Sequence, residues 1–160
     1  MYGLGCDPEI PAAAFELLAL KNRPVSMGLI LIAAKLQQLQ PYMAPLSKAI
    51  IGRMSTTWPG PVTWLVPARP DVPAWIRGTH DTVAVRITAH PLAAALCAMI
   101  DTPLISTSAN LHRGVAARNM LQVRRIFGNN VTYILPGQVG ESRNPTEIRD
   151  ALTNKVIRPA

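Results

Sequence analysis

Five apolar residues near the start of the chain, Ile10, Phe15, Leu17, Leu18 and Leu20, recur at helical spacing, and Pro24 has to end the run. The pattern predicts an amphipathic helix over residues 9–19, opened and capped by Asp7 and Pro8. Residues 28–34 (GLILIAA) are a short unbroken apolar run, which fits a strand covered on both faces and points to a parallel pairing. Helical turns are expected around 36–40 and 45–54, and the β-branched runs 62–66 and 82–87 read as strands. Residues 91–100 read as a helix with Pro91 at its first position, and 104–107 as the strand after it. A helix beginning at Val115 or Arg118 runs to Phe127 and is closed by Gly128. A further strand is predicted at 131–135, and a terminal hairpin pairs 147–151 with 155–157 across 152–154.

Alternating strands and helices predict an α/β domain with antiparallel elements near its C-terminus, and ligands of such folds sit beyond the carboxyl ends of the strands. A length of 160 residues suits a single domain, 1–160, with 49% hydrophobic residues to build a core and 15 prolines too dispersed to mark a linker. Cys6 and Cys97 cannot make a disulfide framework, and His80, His90 and His112 lack the spacing of a metal site. No apolar run approaches the roughly 20 residues of a bilayer span, and Asp7 and Glu9 stand where a leader would be basic. The expectation is a cytoplasmic protein without membrane contact.

Charge changes this picture. Sixteen Lys and Arg against nine Asp and Glu give +7, and the acids are clustered. None falls between 17 and 70, a window holding Lys21, Arg23, Lys35, Lys48, Arg53 and Arg69, and none between 102 and 140, which holds Arg113, Arg118, Arg124 and Arg125. A field of this sign draws nucleotides, RNA or phosphorylated ligands, the plain alternative being an evenly basic, soluble surface.

Four segments carry polar groups or glycine beside core elements. Lys21-Asn22-Arg23-Pro24 sets two cations at a helix end, where they either cap the helix or face an anion. Trp58-Pro59-Gly60-Pro61-Val62-Thr63 is a stiff turn with a hydroxyl just inside the following strand. Arg86 stands inside the apolar strand Val83-Ala84-Val85-Arg86-Ile87, where a guanidinium needs either an ion pair with Asp81 or Asp101 or an anionic ligand, a carboxylate suiting its fork. Ser106-Thr107-Ser108-Ala109-Asn110 gathers small donors at the carboxyl end of a strand, as a turn or as a ligand site.

In this order, and together with Tyr2-Gly3-Leu4-Gly5-Cys6-Asp7, His90-Pro91 and Asn144-Pro145-Thr146-Glu147-Ile148-Arg149-Asp150, these strings resemble the YrdC/TsaC family of threonylcarbamoyl-adenylate synthases across nearly the whole chain. The resemblance implies a single-domain, open, twisted mixed α/β sheet with helices packed around it and a basic groove. It also implies condensation of L-threonine, bicarbonate or CO2 and ATP to threonylcarbamoyl-adenylate and pyrophosphate, feeding t6A modification of tRNA through downstream transfer proteins. Carried over residue by residue, Lys21, Arg23, Ser108 and Asn110 would bind ATP, and Arg86, Ser106 and Thr146 the threonine, with Thr63 on either ligand. No catalytic residue is assigned. ATP is a substrate accompanied by Mg2+, there being no carboxylate cluster to hold a metal independently and no tightly held cofactor.

The sequence departs from that pattern in three places. Met1 stands where family members carry a helix and a strand ending in Pro-Thr-Glu, so part of the threonine pocket is expected to be missing. Met27 replaces a frequent lysine, and Leu111-His112-Arg113-Gly114 is bulkier than the family's Leu-Ser-Gly turn. Two other readings use the same chain: an RNA-binding protein without catalytic activity, weakened by 5% aromatic content and the lack of a stacking motif, and a carbamoyl-handling domain like those of hydrogenase maturation proteins.

Overall fold

The structure, a computed structural model, describes residues 1–111, 114–140 and 145–160. Its strands are β1 (Gly3–Cys6), β2 (Ile30–Ala33), β3 (Val62–Pro67), β4 (Thr82–Ile87), β5 (Leu104–Ser108), β6 (Glu147–Asp150) and β7 (Val156–Arg158). Between them lie the helices α1 (Pro11–Leu20), α2 (Leu36–Leu39), α3 (Lys48–Ser55), α4 (Ala74–Arg77), α5 (Pro91–Ile100) and α6 (Met120–Phe127). The strands form one continuous sheet in the order β1-β5-β2-β4-β3-β6-β7. β2 runs parallel to β4 and β3 to β6, while the other four pairings are antiparallel. Antiparallel pairing therefore extends through the whole sheet and is not confined to its C-terminal part.

Because side chains alternate between the faces of a strand, the register divides the sheet cleanly. On one face Leu4, Ile105, Leu31, Val85 and Trp64 follow one another from strand to strand and enter the hydrophobic core. Helices α1, α2, α3, α4 and α6 cover that face through Leu17, Leu18, Leu39, Met54, Ile76, Val123 and Phe127. Burying a side chain of this size removes apolar surface worth about 1.5–3 kcal/mol. Helix α5 sits differently: Cys97 is its buried residue, its Sγ donates to Ile32 O at 3.6 Å, and Gln38 donates to Cys97 O at 2.7 Å. These bonds set it against β2, and most strand residues of the sheet's second face keep partial exposure.

Several boundaries differ from the sequence expectation. The first helix begins at Pro11 after Ile10, and Asp7 instead accepts a hydrogen bond from the Glu9 amide within the preceding turn. The third helix starts at Lys48, where the Ser47 hydroxyl oxygen accepts from the Ile50 amide. Residues 131–135 are not a strand. Val131 and Ile134 pack against the core while Tyr133 and Leu135 are exposed, and the strand that pairs with β5 on that side is β1, which its glycines concealed.

Candidate active site: the open face of the sheet

The same parity that builds the core gathers the polar residues on the opposite face. Gly3 and Gly5 of β1 lie against Ser108 and Ser106 of β5; Ser106 pairs with Ile30, and Ile30 with Ala84, two residues before Arg86. Continuing the Trp64–Val85 register by one residue sets Thr63 beside Arg86. Glycine in β1 keeps this face bare: a Cβ on Gly5 would stand 2.9 Å from Ile105 O. Asp150 is the acidic strand position on this face among the described residues, and its Oδ1 accepts the Leu152 and Thr153 amides of the β6–β7 turn. Arg86 and Arg158 are the basic strand positions on the same face among the described residues.

Arg86 is mostly buried, and its Nε has no hydrogen-bond partner among the described residues. Neither acid proposed from the sequence neutralises it: Asp101 pairs with Lys35 at 2.9 Å, and Asp81 makes no ion pair within the described residues. Burial accordingly holds the guanidinium pKa below its ordinary value. A desolvated cation with unused donors is the recognition element for a carboxylate.

Nearby, Thr63 is fully buried, and its hydroxyl lies 3.2 Å from that of Thr146, the residue preceding β6. The Trp58–Pro59 peptide before Thr63 is cis, and Trp58 Nε1 donates to Val62 O.

The turn after α1 explains how two cations come to face inward. The Asn22 amide donates to Ala19 O and the Arg23 amide to Leu18 O, with Asn22 at a φ of 48°, so the helix end is closed by main-chain bonds in a Schellman arrangement. The Lys21 and Arg23 side chains are not needed as caps. Arg23 Nε and Nη2 both donate to Gly28 O, whose residue has a φ of 62° and lies so close to Ile76 O that no side chain would fit. Lys21 is only 7% exposed and donates to Ser108 O at 2.5 Å, Asn110 O at 2.8 Å and Asn110 Oδ1 at 3.1 Å. Burial, helped by the neighbouring Arg23 charge, pulls its pKa down to about 8.

A cavity of about 130 Å³ opens here, lined by Lys21, Arg23, Pro24, Met27, Ser108 and Asn110 among others. A larger one of about 360 Å³, between His90 and Gln138, is lined mainly by apolar surface and holds none of the predicted site residues.

Arg158 is the residue that sequence reasoning missed. From β7 its Nη2 donates to Thr146 O at 2.8 Å, and it lies near enough to Arg23 for its charge, after burial, to lower the Arg23 pKa. The signal was the terminal hairpin itself, which pairs Arg158 with Ile148 on the open face. The structure thus brings Thr63, Arg86, Ser106 and Thr146 onto one face with Lys21, Arg23, Ser108 and Asn110 at its end. Asn144, His112 and Arg113 lie outside the described residues. The arrangement can hold a carboxylate at Arg86 and a multiply charged anion between Arg23 and Arg158.

Comparison with known proteins identifies the family and the fold. The family model Sua5/YciO/YrdC, described as telomere recombination, matches residues 1–160. A protein of Nitrosococcus oceani named threonylcarbamoyl-AMP synthase is 54% identical over 158 residues, 99% of this chain and 85% of its own length. One of the same name from Cellvibrio japonicus is 48% identical over 160 residues, covering all of this chain and 85% of its own length. Among solved structures, P. abyssi Sua5 complexed with L-threonine superposes with a TM-score of 0.86 at 28% identity, over 93% of this chain and 44% of that one. E. coli YciO shares the fold, with a TM-score of 0.84 at 23% identity over 99% of this chain and 78% of its own. Matched from end to end by one family model and about half identical to its relatives over the same length, the chain belongs to the Sua5/YciO/YrdC family.

Proposed function

We propose that this chain is an L-threonylcarbamoyladenylate synthase, a nucleotidyltransferase that joins L-threonine, CO2 from bicarbonate and ATP. The observation that carries the reading is Arg86, a buried guanidinium with an unpartnered Nε on the same sheet face as Thr63 and Ser106, in a chain about half identical to proteins named for this reaction. Arg86 grips the threonine carboxylate, and the hydroxyls of Ser106, Thr63 and Thr146 orient the amino acid. Arg23 and Arg158 hold the phosphates of ATP, which arrives with its own Mg2+. Among the described residues no group of three or more His, Cys, Asp or Glu could hold a metal ion.

Neutral threonine amine adds to CO2 and releases a proton, giving a carbamate. A carbamate oxygen attacks the α-phosphorus of ATP, the bond to the bridging oxygen breaks, and pyrophosphate leaves. Negative charge grows on the phosphates throughout, so fixed guanidinium groups lower the barrier by positioning and electrostatics, without a nucleophilic side chain. The product, an activated carbamoyl donor, suits transfer to tRNA adenosine by downstream t6A-transfer proteins, and dependence on ATP and free threonine places the reaction in the cytoplasm.

The test is pyrophosphate release with ATP, threonine and bicarbonate together, with threonylcarbamoyl-AMP identified by mass. Release that is equal without threonine would make the chain an ATPase, and none under any condition, with ATP bound, would leave a binding protein.

A further inference from the structure

An ammonium group has three protons. In Lys21 each of them has a protein acceptor within 3.1 Å, namely Ser108 O, Asn110 O and Asn110 Oδ1, on a side chain only 7% exposed. The acceptors are themselves linked: Ser108 Oγ donates to Asn110 Oδ1 at 2.6 Å, and Asn110 Nδ2 donates to Gly114 O at 2.7 Å. The guanidinium groups around this network are in the opposite condition. Arg23 uses Nε and one Nη2 proton on Gly28 O, Arg158 uses one Nη2 proton on Thr146 O, and Arg86 Nε has no partner among the described residues.

We infer that Lys21 is a positioning residue and not a phosphate ligand: it fastens the end of β5 to the turn after α1, fixing the width of the cleft in which Arg23 and Arg158 meet the anion. The consequence for the sequence motif is a division of labour. Lys21, Ser108 and Asn110 close a network whose donors are taken up by its own acceptors, and the arginines keep donors for the ligand. The Ala109 amide donating to Tyr2 O and the Ala117 amide donating to Ala109 O carry the same constraint into β1 and the returning chain. Opening the network would let the β5 end move away from Arg23.

The inference rests on the synthase reading only through ATP as the anion, and a thermodynamic cycle separates the two. ATP dissociation constants are measured by calorimetry for the wild type, Lys21→Met, Asn110→Ala and the double variant, each over a salt series. A positioning role predicts that each single variant weakens ATP about tenfold, that the double variant is no worse than either, and that the slope of log Kd against log salt stays at the wild-type value. Arg23→Met, by contrast, should lower that slope. Multiplying effects in the double variant, together with a reduced slope in Lys21→Met, would overturn the inference.

A second measurement needs no variant. In 15N-lysine-labelled wild-type protein with saturating ATP, no scalar coupling across a hydrogen bond should link the Lys21 ammonium nitrogen to a phosphate 31P, whereas a resolved coupling would mean direct phosphate contact and would equally overturn it. If wild-type protein binds no ATP at all, the synthase reading fails and this inference falls with it. ATP binding with a multiplicative cycle defeats the inference alone.

Discussion

The Thr63 and Thr146 hydroxyl oxygens lie 3.2 Å apart where the parallel strands β3 and β6 begin side by side. Thr63 is fully buried, so the pair joins the two halves of the sheet next to Arg86. Thr63→Val keeps the shape and removes the hydroxyl, leaving the Thr146 hydroxyl without its partner. We expect a loss of about 1 kcal/mol in unfolding free energy by urea denaturation, with a rise in the threonine KM and a smaller change in that for ATP. Thr63→Ser should restore the KM while remaining less stable, because it retains the hydroxyl but leaves a methyl-sized void.

Arg86 should show opposite effects on stability and binding. A buried guanidinium that pairs with no acid among the described residues costs desolvation, which an anionic ligand would offset. Arg86→Met is expected to raise the melting temperature of the unliganded protein and abolish threonine binding. Arg86→Lys retains the charge but not the fork, and should weaken threonine by about 1.5–3 kcal/mol, a factor of ten to more than a hundred. Calorimetry and thermal melts on the same samples check both. A melting temperature that falls in Arg86→Met with threonine affinity intact would place the arginine in the scaffold.

Much of this was legible in the sequence because local and tertiary preferences coincide. The run from Thr82 to Ile87 and the helix from Pro91 to Ile100 match the structure at both ends, since β-branched residues fill the one and proline opens the other. β1 escaped notice because Gly3 and Gly5 give it no strand propensity; it exists through its pairing with β5. Residues 131–135 failed in the reverse way, having strand composition but pairing with no strand, while Val131 and Ile134 are used instead to pack against the core. At the site, Arg86 was legible as a charge in an apolar strand. Arg158 was not, because its relevance depends on which strand β7 lies against and which face that register presents.

Lys21 gives a pH signature for stability. Its folded pKa of about 8 lies below the ordinary lysine value of 10.5, chiefly through burial and then through Arg23. Between those values the unfolded chain holds a proton that the folded chain has released, so stability contributed by this group rises with pH; below about 8 the cost of burying the charge is fully present. Cys6, raised from 9.0 to about 11 by burial and by Asp7, acts oppositely over an overlapping range, since there the folded chain retains the proton. The wild-type curve mixes the two. The difference between wild type and Lys21→Met, followed by denaturant melts at pH 7, 8, 9 and 10, should isolate the rising component, and a flat difference would mean that the Lys21 pKa is not depressed.

Arg23 and Arg158 approach each other without an acid between them among the described residues, and each is partly desolvated. Two like charges held this way raise the free energy of the empty cleft and lower that of a cleft holding phosphates. ATP and pyrophosphate should therefore raise the melting temperature more than threonine does at equal saturation, and the gain should shrink as salt is added. Arg158→Ala removes one phosphate donor and the bond to Thr146 O, so it should weaken ATP strongly and threonine slightly, the latter through the displaced Thr146 hydroxyl. Arg158→Lys retains the charge and should recover the salt dependence but only part of the affinity. Titrations of ATP and threonine against the three forms at two salt concentrations check the ranking; if Arg158→Ala weakens threonine more than ATP, the terminal strand serves the amino-acid pocket and the phosphates lie elsewhere on the face.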